Sequence, residues 1–294
     1  MKKEETKQLP PTKRKKAATV KKNNKPRKAA KPRAKSKKGK IHSLSPRELN
    51  ALAVVIAVVF MGLFYFFFIR PYAYRWKPCY GLKGYGVCMP FSYAVHGTDI
   101  SHYQGEIQWN KLREAQQGKF PLNFIFMKAT EGGDFSDKRF RANFDSAKVH
   151  GFIRGAYHFY NPKTDPIRQA DFFIRTARLQ SGDLPPVLDI EVKARNKERL
   201  RSDLKIWLDR VEKYYKVKPI LYTSYKFKMK YLNDSTFNSY PYWIAHYYVD
   251  SVRYQGEWKF WQHTDVGTLP GVEERADMNV FNGSLPELKR MLIP

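Results

Sequence analysis

The chain has 294 residues, with 54 Lys and Arg against 27 Asp and Glu, a formal charge of +27. Two cysteines are too few for a disulfide scaffold, and the length suits one sizeable domain with extra segments. The charge is uneven: 19 Lys and Arg against three Glu precede Ala51, which leaves the remainder only modestly basic.

Residues 1–49 are mostly Lys, Arg, Ala and Pro. They hold too little apolar surface to fold, so a disordered tail is expected. Such a tail could bind anionic lipid or nucleic acid by charge alone, or simply act as a solvated, topology-setting flank. Residues 50–70 contain ALAVVIAVVFMGLFYFFFI, 19 residues without a charge, long enough to span a bilayer as a helix. Arg70 and Arg75 close the run, and Tyr72, Tyr74 and Trp76 suit the membrane–water boundary. A signal peptide would have a shorter apolar core followed by small residues; Arg70-Pro71 follows here, so an uncleaved single-pass anchor is expected. The basic flank places the N-terminus in the cytoplasm and everything after Arg70 on the outer side, periplasmic or extracellular.

Residues 71–92 read as a linker in which Cys79 and Cys88 flank YGLKGYGV. On the oxidising side a disulfide between them is expected in preference to two free thiols. No other Cys is available and no His lies nearby at ligand spacing, so no zinc site is indicated.

Residues 93–294 alternate strand-like and helical runs. The strand-like ones are YAVHGTDIS, NFIFMKAT, FIRGAYHFY, PPVLDIEV, PILYTSY, YWIAHY, KFWQHT and DMNVF. The helical ones are WNKLREAQQ, RFRANFDSAKVH, DPIRQADFFIRTAR and RNKERLRSDLKIWLDRVEKYY, and Asp165-Pro166 is a good helix start. The alternation predicts an α/β fold with a parallel sheet, closed as a (β/α)8-like barrel with some helices short or missing.

The fourth strand, Pro185-Pro186-Val187-Leu188-Asp189-Ile190-Glu191-Val192, is apolar apart from two acids. Side chains alternate along a strand, so Asp189 and Glu191 are expected on one face. Crowded carboxylates persist only if one holds a proton or a cation sits between them. The working groups of such barrels gather at the carboxyl ends of the strands. There lie Asp99, Lys128, Glu131, Tyr157, His158, Tyr222, Ser224, His246, Tyr247, Gln262 and His263, and Asp277 opens the last strand. Tyr157, Tyr247 and Trp261 serve equally well as core aromatics or as sugar-stacking rings. The three histidines read as satisfied hydrogen-bonding residues. Neither HExxH nor a Gly-x-Ser-x-Gly elbow nor a phosphate loop appears, so no metal or cofactor is expected.

The segments GTDISHYQGEIQW, FIFMKATEGGDFSDKRF, GFIRGAYHFY, PPVLDIE, YWIAHY, WQHT and DMNVF, in this order and spacing, resemble glycoside hydrolase family 25. These are lysozymes that cut peptidoglycan as N-acetylmuramidases. The resemblance runs from about residue 93 to the C-terminus. It implies hydrolysis of the β-1,4 bond between N-acetylmuramic acid and N-acetylglucosamine. It also implies Glu191 as general acid with Asp189 as its partner, Asp99 and Asp277 as further cleft acids, and Tyr157 lining the subsite at the cut bond. Tyr247, Trp261 and Gln262 are candidate substrate contacts. Asp189 could attack directly, or could orient the substrate's own N-acetyl group; the Asp-x-Glu pair resembles the second design. Gln108, His263 and Ala276 depart from common family residues without removing a carboxylate. The alternative from another class is a catalytically silent wall-binding module.

Overall fold

In a computed structural model of the chain, residues 44–70, 79, 81–252 and 256–294 are described. Most of the basic tail and the expected boundary residues Tyr72, Tyr74, Arg75 and Trp76 lie outside these.

The apolar run forms α1 (Pro46–Phe64), which continues as a π-helical turn, Tyr65–Ile69. Ser45 and Glu48 start it as a capping box: the Ser45 N–H donates to Glu48 Oε2 at 2.7 Å and the Glu48 N–H to Ser45 Oγ at 3.4 Å. Pro46 stands at the first turn, where a missing N–H costs nothing. Helical residues 46–69 rise about 36 Å, enough to cross a hydrocarbon core about 30 Å thick. A disulfide joins Cys79 to Cys88. Cys88 ends a small hairpin, β1 (Lys83–Gly84) with β2 (Val87–Cys88), whose turn residues Tyr85 and Gly86 have positive φ.

The remaining elements build a closed barrel. Its eight strands are β3 (Val95–Ile100), β4 (Leu122–Glu131), β6 (Ile153–Phe159), β7 (Val187–Asp189), β8 (Ile220–Ser224), β9 (Tyr242–Ala245), β10 (Phe260–Gly267) and β11 (Ala276–Phe281). They pair in that order and β11 returns to β3; β5 (Phe135–Ser136) pairs only on the outside of β4. Every expected strand is present, but the expected all-parallel (β/α)8 sheet is not: β11 runs antiparallel to both β10 and β3. The short connection 268–275 is the reason. A parallel return needs a crossover of about a dozen residues or more, as the longer connection 246–259 before parallel β10 provides, and eight residues only allow the chain to double back. Helices α2 (Trp109–Leu112), α3 (Phe140–Val149), α4 (Pro166–Ala177), α5 (Lys197–Tyr215), α6 (Tyr225–Tyr231) and α7 (Ser235–Asn238) occupy the connections from β3 through β9. Asp165 caps α4, its carboxylate accepting the Arg168 N–H at 2.8 Å.

Two cores follow from the period of two. Phe124, Phe126, Val187, Ile220, Tyr222, Trp243, Phe260 and Phe281 fill the barrel, with Leu288 of the final helix α8 (Leu285–Arg290) packed into the same cluster. Ile125, Met127, Leu188, Leu221, Ile244 and Trp261 face the other way, against the helices. Each buried Phe contributes about 2–3 kcal/mol. The interior is so full that a Cβ on Gly97 would lie 2.3 Å from the Phe124 ring, and one on Gly155 2.5 Å from that of Phe126.

Candidate active site

Reversal of β11 decides where its acid goes. Its first residues lie at the rim where the other strands end, and Asp277 pairs directly with Asp99, the penultimate residue of β3. Inward-facing amides on neighbouring strands fix Asp99. Its Oδ1 accepts Gln262 Nε2 at 2.8 Å and Asn279 Nδ2 at 2.7 Å. Asn279 in turn accepts Trp243 Nε1 at 2.7 Å, while Gln262 Oε1 accepts both the Tyr222 hydroxyl at 2.7 Å and the Tyr247 hydroxyl at 2.6 Å. Asp99 and Asp277 also hydrogen-bond to each other. Burial pushes Asp99 up to about 6 despite its amide donors. Burial and the facing Asp99 raise Asp277 as well, so the pair keeps a proton between them in preference to two facing charges.

Asp189 is the last residue of β7 and only 6% exposed. Its Oδ1 is buried without a hydrogen-bond partner. Burial raises its carboxyl well above the ordinary value, and the charges of Glu191 and then Asp99 add to the effect. Glu191 lies two residues beyond the strand, where the chain stays extended: the Ile190 N–H donates to Tyr222 O at 2.9 Å and Thr223 Oγ1 donates to Ile190 O at 2.6 Å. Glu191 is exposed to solvent on one side and crowded by the rim on the other. That burial, then Asp99, raises its carboxyl. Within the pair it is Asp189 that feels the charge of Glu191, because Asp189 is the more deeply enclosed of the two.

The nearby cation is Lys128 of β4, 9% exposed, whose charge lowers both Asp189 and Glu191. Its Nζ lies 2.6 Å from Glu131 Oε2 and 4.9 Å above the Phe159 ring. Half-buried Tyr157 pairs in register with Lys128 and Val187, its ring edge-on to Trp243 at 6.4 Å.

The structure therefore brings Asp99, Asp277, Asp189, Glu191 and Tyr157 to one rim. Trp261 is a correction. As the neighbour of inward-facing Gln262 it must point outward, and it is 1% exposed in the outer core, donating Nε1 to His246 O at 2.8 Å. Its face is not open to a sugar. Gln262, 2% exposed, grips Asp99 and the two tyrosines rather than meeting solvent. His158 is a neutral, satisfied core residue between Thr130 Oγ1 (2.8 Å) and Gln169 Oε1 (3.1 Å), pushed down to about 3 by burial.

Asn279 and Trp243 escaped the sequence reading, although Asn279 stands two residues from Asp277 and so shares its face. Tyr103 and Phe135 were also missed. Both rings are exposed, and Tyr103 stacks on His102, which buried Asp137 holds through Nδ1 at 2.8 Å. Their signal was proximity in sequence to Asp99 and Glu131. Among the described residues no group of three His, Cys, Asp or Glu could hold a metal ion.

Comparison with known proteins agrees with this geometry. Residues 98–272 match the model of glycosyl hydrolases family 25. The chain is 37% identical to the uncharacterized protein YegX of Escherichia coli K12 over 224 residues, 76% of this chain and 80% of that one. It is 33% identical to lysozyme M1 of Streptomyces globisporus over 214 residues, 66% and 70% of the two chains. A bacterial lysozyme structure from Streptomyces coelicolor superposes with a TM-score of 0.62 at 31% identity, covering 68% of this chain and 97% of that one. The chain belongs to glycosyl hydrolases family 25.

Proposed function

We propose that the protein is a peptidoglycan hydrolase, an N-acetylmuramidase, and that Glu191 is its general acid. The observation carrying this is the cluster of four raised carboxyls at one rim, with Glu191 the member reached from solvent. A glycosidic oxygen leaves readily only if protonated, and a carboxyl raised by its surroundings is protonated in a larger share of molecules than a free one.

Glu191 gives its proton to the bridging oxygen as the bond from C1 to that oxygen breaks. The carbonyl oxygen of the sugar's own acetamido group closes on C1 from the opposite face. The unpartnered Oδ1 of Asp189 holds the acetamido N–H as positive charge builds there. Water, losing a proton to Glu191, then opens the ring so formed, and the configuration at C1 is retained. The Asp99–Asp277 pair, fixed by Gln262 and Asn279, forms the far wall of the cleft. The apolar helix anchors the enzyme, N-terminus inside, with the barrel on the wall side of the membrane.

Incubating peptidoglycan with the full chain and with Glu191→Gln, and weighing the released fragments, tests this. Fragments ending in reducing muramic acid are expected from the wild type, with the variant slower by about 10²–10⁴-fold. Equal clearing by both would remove Glu191 from the chemistry. Reducing ends in N-acetylglucosamine would place the cut at the other bond, and a covalent sugar trapped on Asp189 would refute the acetamido route.

A further inference from the structure

One side of the rim gathers unpaired cations, while the acids on the same connections are engaged, Asp165 as the cap of α4 and Glu198 with Arg201. The connections that follow three neighbouring strands, β6, β7 and β8, present Lys163, Lys193, Arg195, Lys197 and Lys226. All five are exposed, and among the described residues none has a carboxylate within 4.0 Å. The β10–β11 connection, across the barrel in strand order, instead carries exposed Glu273 and Glu274 beside Arg275. Chain geometry keeps the basic loop near the chemistry: Lys193 lies at most about 7 Å along the chain from Glu191, and Lys197 at most about 21 Å. Unpaired cations here are not needed to hold the fold. The basic loop leads into α5, which Asn196 caps on its own through the Arg199 N–H at 2.9 Å. Nor are they needed to hold the glycan backbone, which consists of hydroxyls and amides. What is anionic on such a strand is the peptide hanging from each muramic acid, with its several carboxylates.

We propose that the β6–β8 side of the rim is a cationic shelf that takes the carboxylates of the peptide stems, making the enzyme selective for stem-bearing glycan. This rests on the muramidase reading and adds to it the part of the substrate that lies outside the cleft. Exposed cations facing open solvent act through steering and loose ion pairs, so their contribution is expected to fade as ionic strength rises and the Debye length shrinks below about 10 Å.

The test uses the full chain in detergent and two soluble substrates: glycan oligomers bearing stems, and the same oligomers stripped of stems by an amidase and then amidated at the lactyl carboxylate that the amidase leaves on each muramic acid. In a K193Q/R195Q/K197Q variant, kcat/KM on the stem-bearing substrate is expected to fall about tenfold at low salt, mainly through KM. The ratio of stem-bearing to stem-free activity should fall with it, while K193R/K197R keeps the wild-type ratio. Equal loss on both substrates, no loss on either, or a wild-type preference for strands carrying phosphate polymers irrespective of stems would overturn the shelf. If the wild type cuts neither substrate, the hydrolase reading fails. The shelf is then decided separately by calorimetric binding of a stem-bearing muropeptide, tighter to wild type than to the Gln variant if it stands and equal if it does not.

Discussion

Lys128 sets the working range of the two acids it faces. Its charge lowers both Asp189 and Glu191, so Lys128→Met is expected to raise both. The alkaline limb of the kcat/KM profile should move to higher pH, whereas Lys128→Arg should leave it in place; identical profiles for all three would exclude this role. The Asp99–Asp277 pair makes a different prediction, about stability. Both carboxyls are raised above the unfolded value of 3.8, to about 6 and about 9. The folded chain therefore holds more protons than the unfolded one between about pH 4 and pH 9, and stability is lost as pH rises through that window. Asp277→Asn removes part of the loss: its melting temperature should fall less than the wild type's between pH 4 and pH 8, and exceed it at pH 8. Much of this site was legible, because a period of two assigns faces. The same rule, applied to Trp261 and Gln262 as adjacent residues, shows that they cannot both line a cleft. The reach of Tyr222 and Tyr247 to one Gln oxygen was not legible, since it depends on how far two side chains extend across the neighbouring strand and loop.

At the scale of elements, two glycines permit the barrel's filling. Gly97 and Gly155 vacate the space that Phe124 and Phe126 occupy. Gly97→Ala is expected to destabilise by about 1–3 kcal/mol in denaturant melts, with the cost falling in a Phe124→Leu background; additive losses would show that the clash is not the cause. Strand positions followed from composition because β-branched and aromatic runs alternate with amphipathic helices. Strand direction did not: Ala276–Phe281 would read the same in either sense, and only the shortness of the connection before it marks the reversal. Strand β7 also proved shorter than its apolar run suggests, ending at Asp189, so Glu191 stands on the loop side of the boundary.

On the scale of the whole molecule, the chain couples a cell-wall hydrolase fold to a helix long enough for a bilayer. Retention of that helix is checked by the mass of the protein recovered from membranes. The intact 34.6 kDa chain is expected; a product shortened from its N-terminus past Arg70 would mean that the segment is a cleaved leader. Labelling of engineered cysteines from outside the cell should reach Thr236 and not Thr12.

The reversed final strand has one more outcome. Asp277 arrives late in the chain, and β11 is the last strand to be made. Until it leaves the ribosome the sheet is an open ribbon, β3 lacks one neighbour, and Asp99 has neither Asn279 nor its opposite acid. The four-acid rim is therefore incomplete until β11 has joined the sheet.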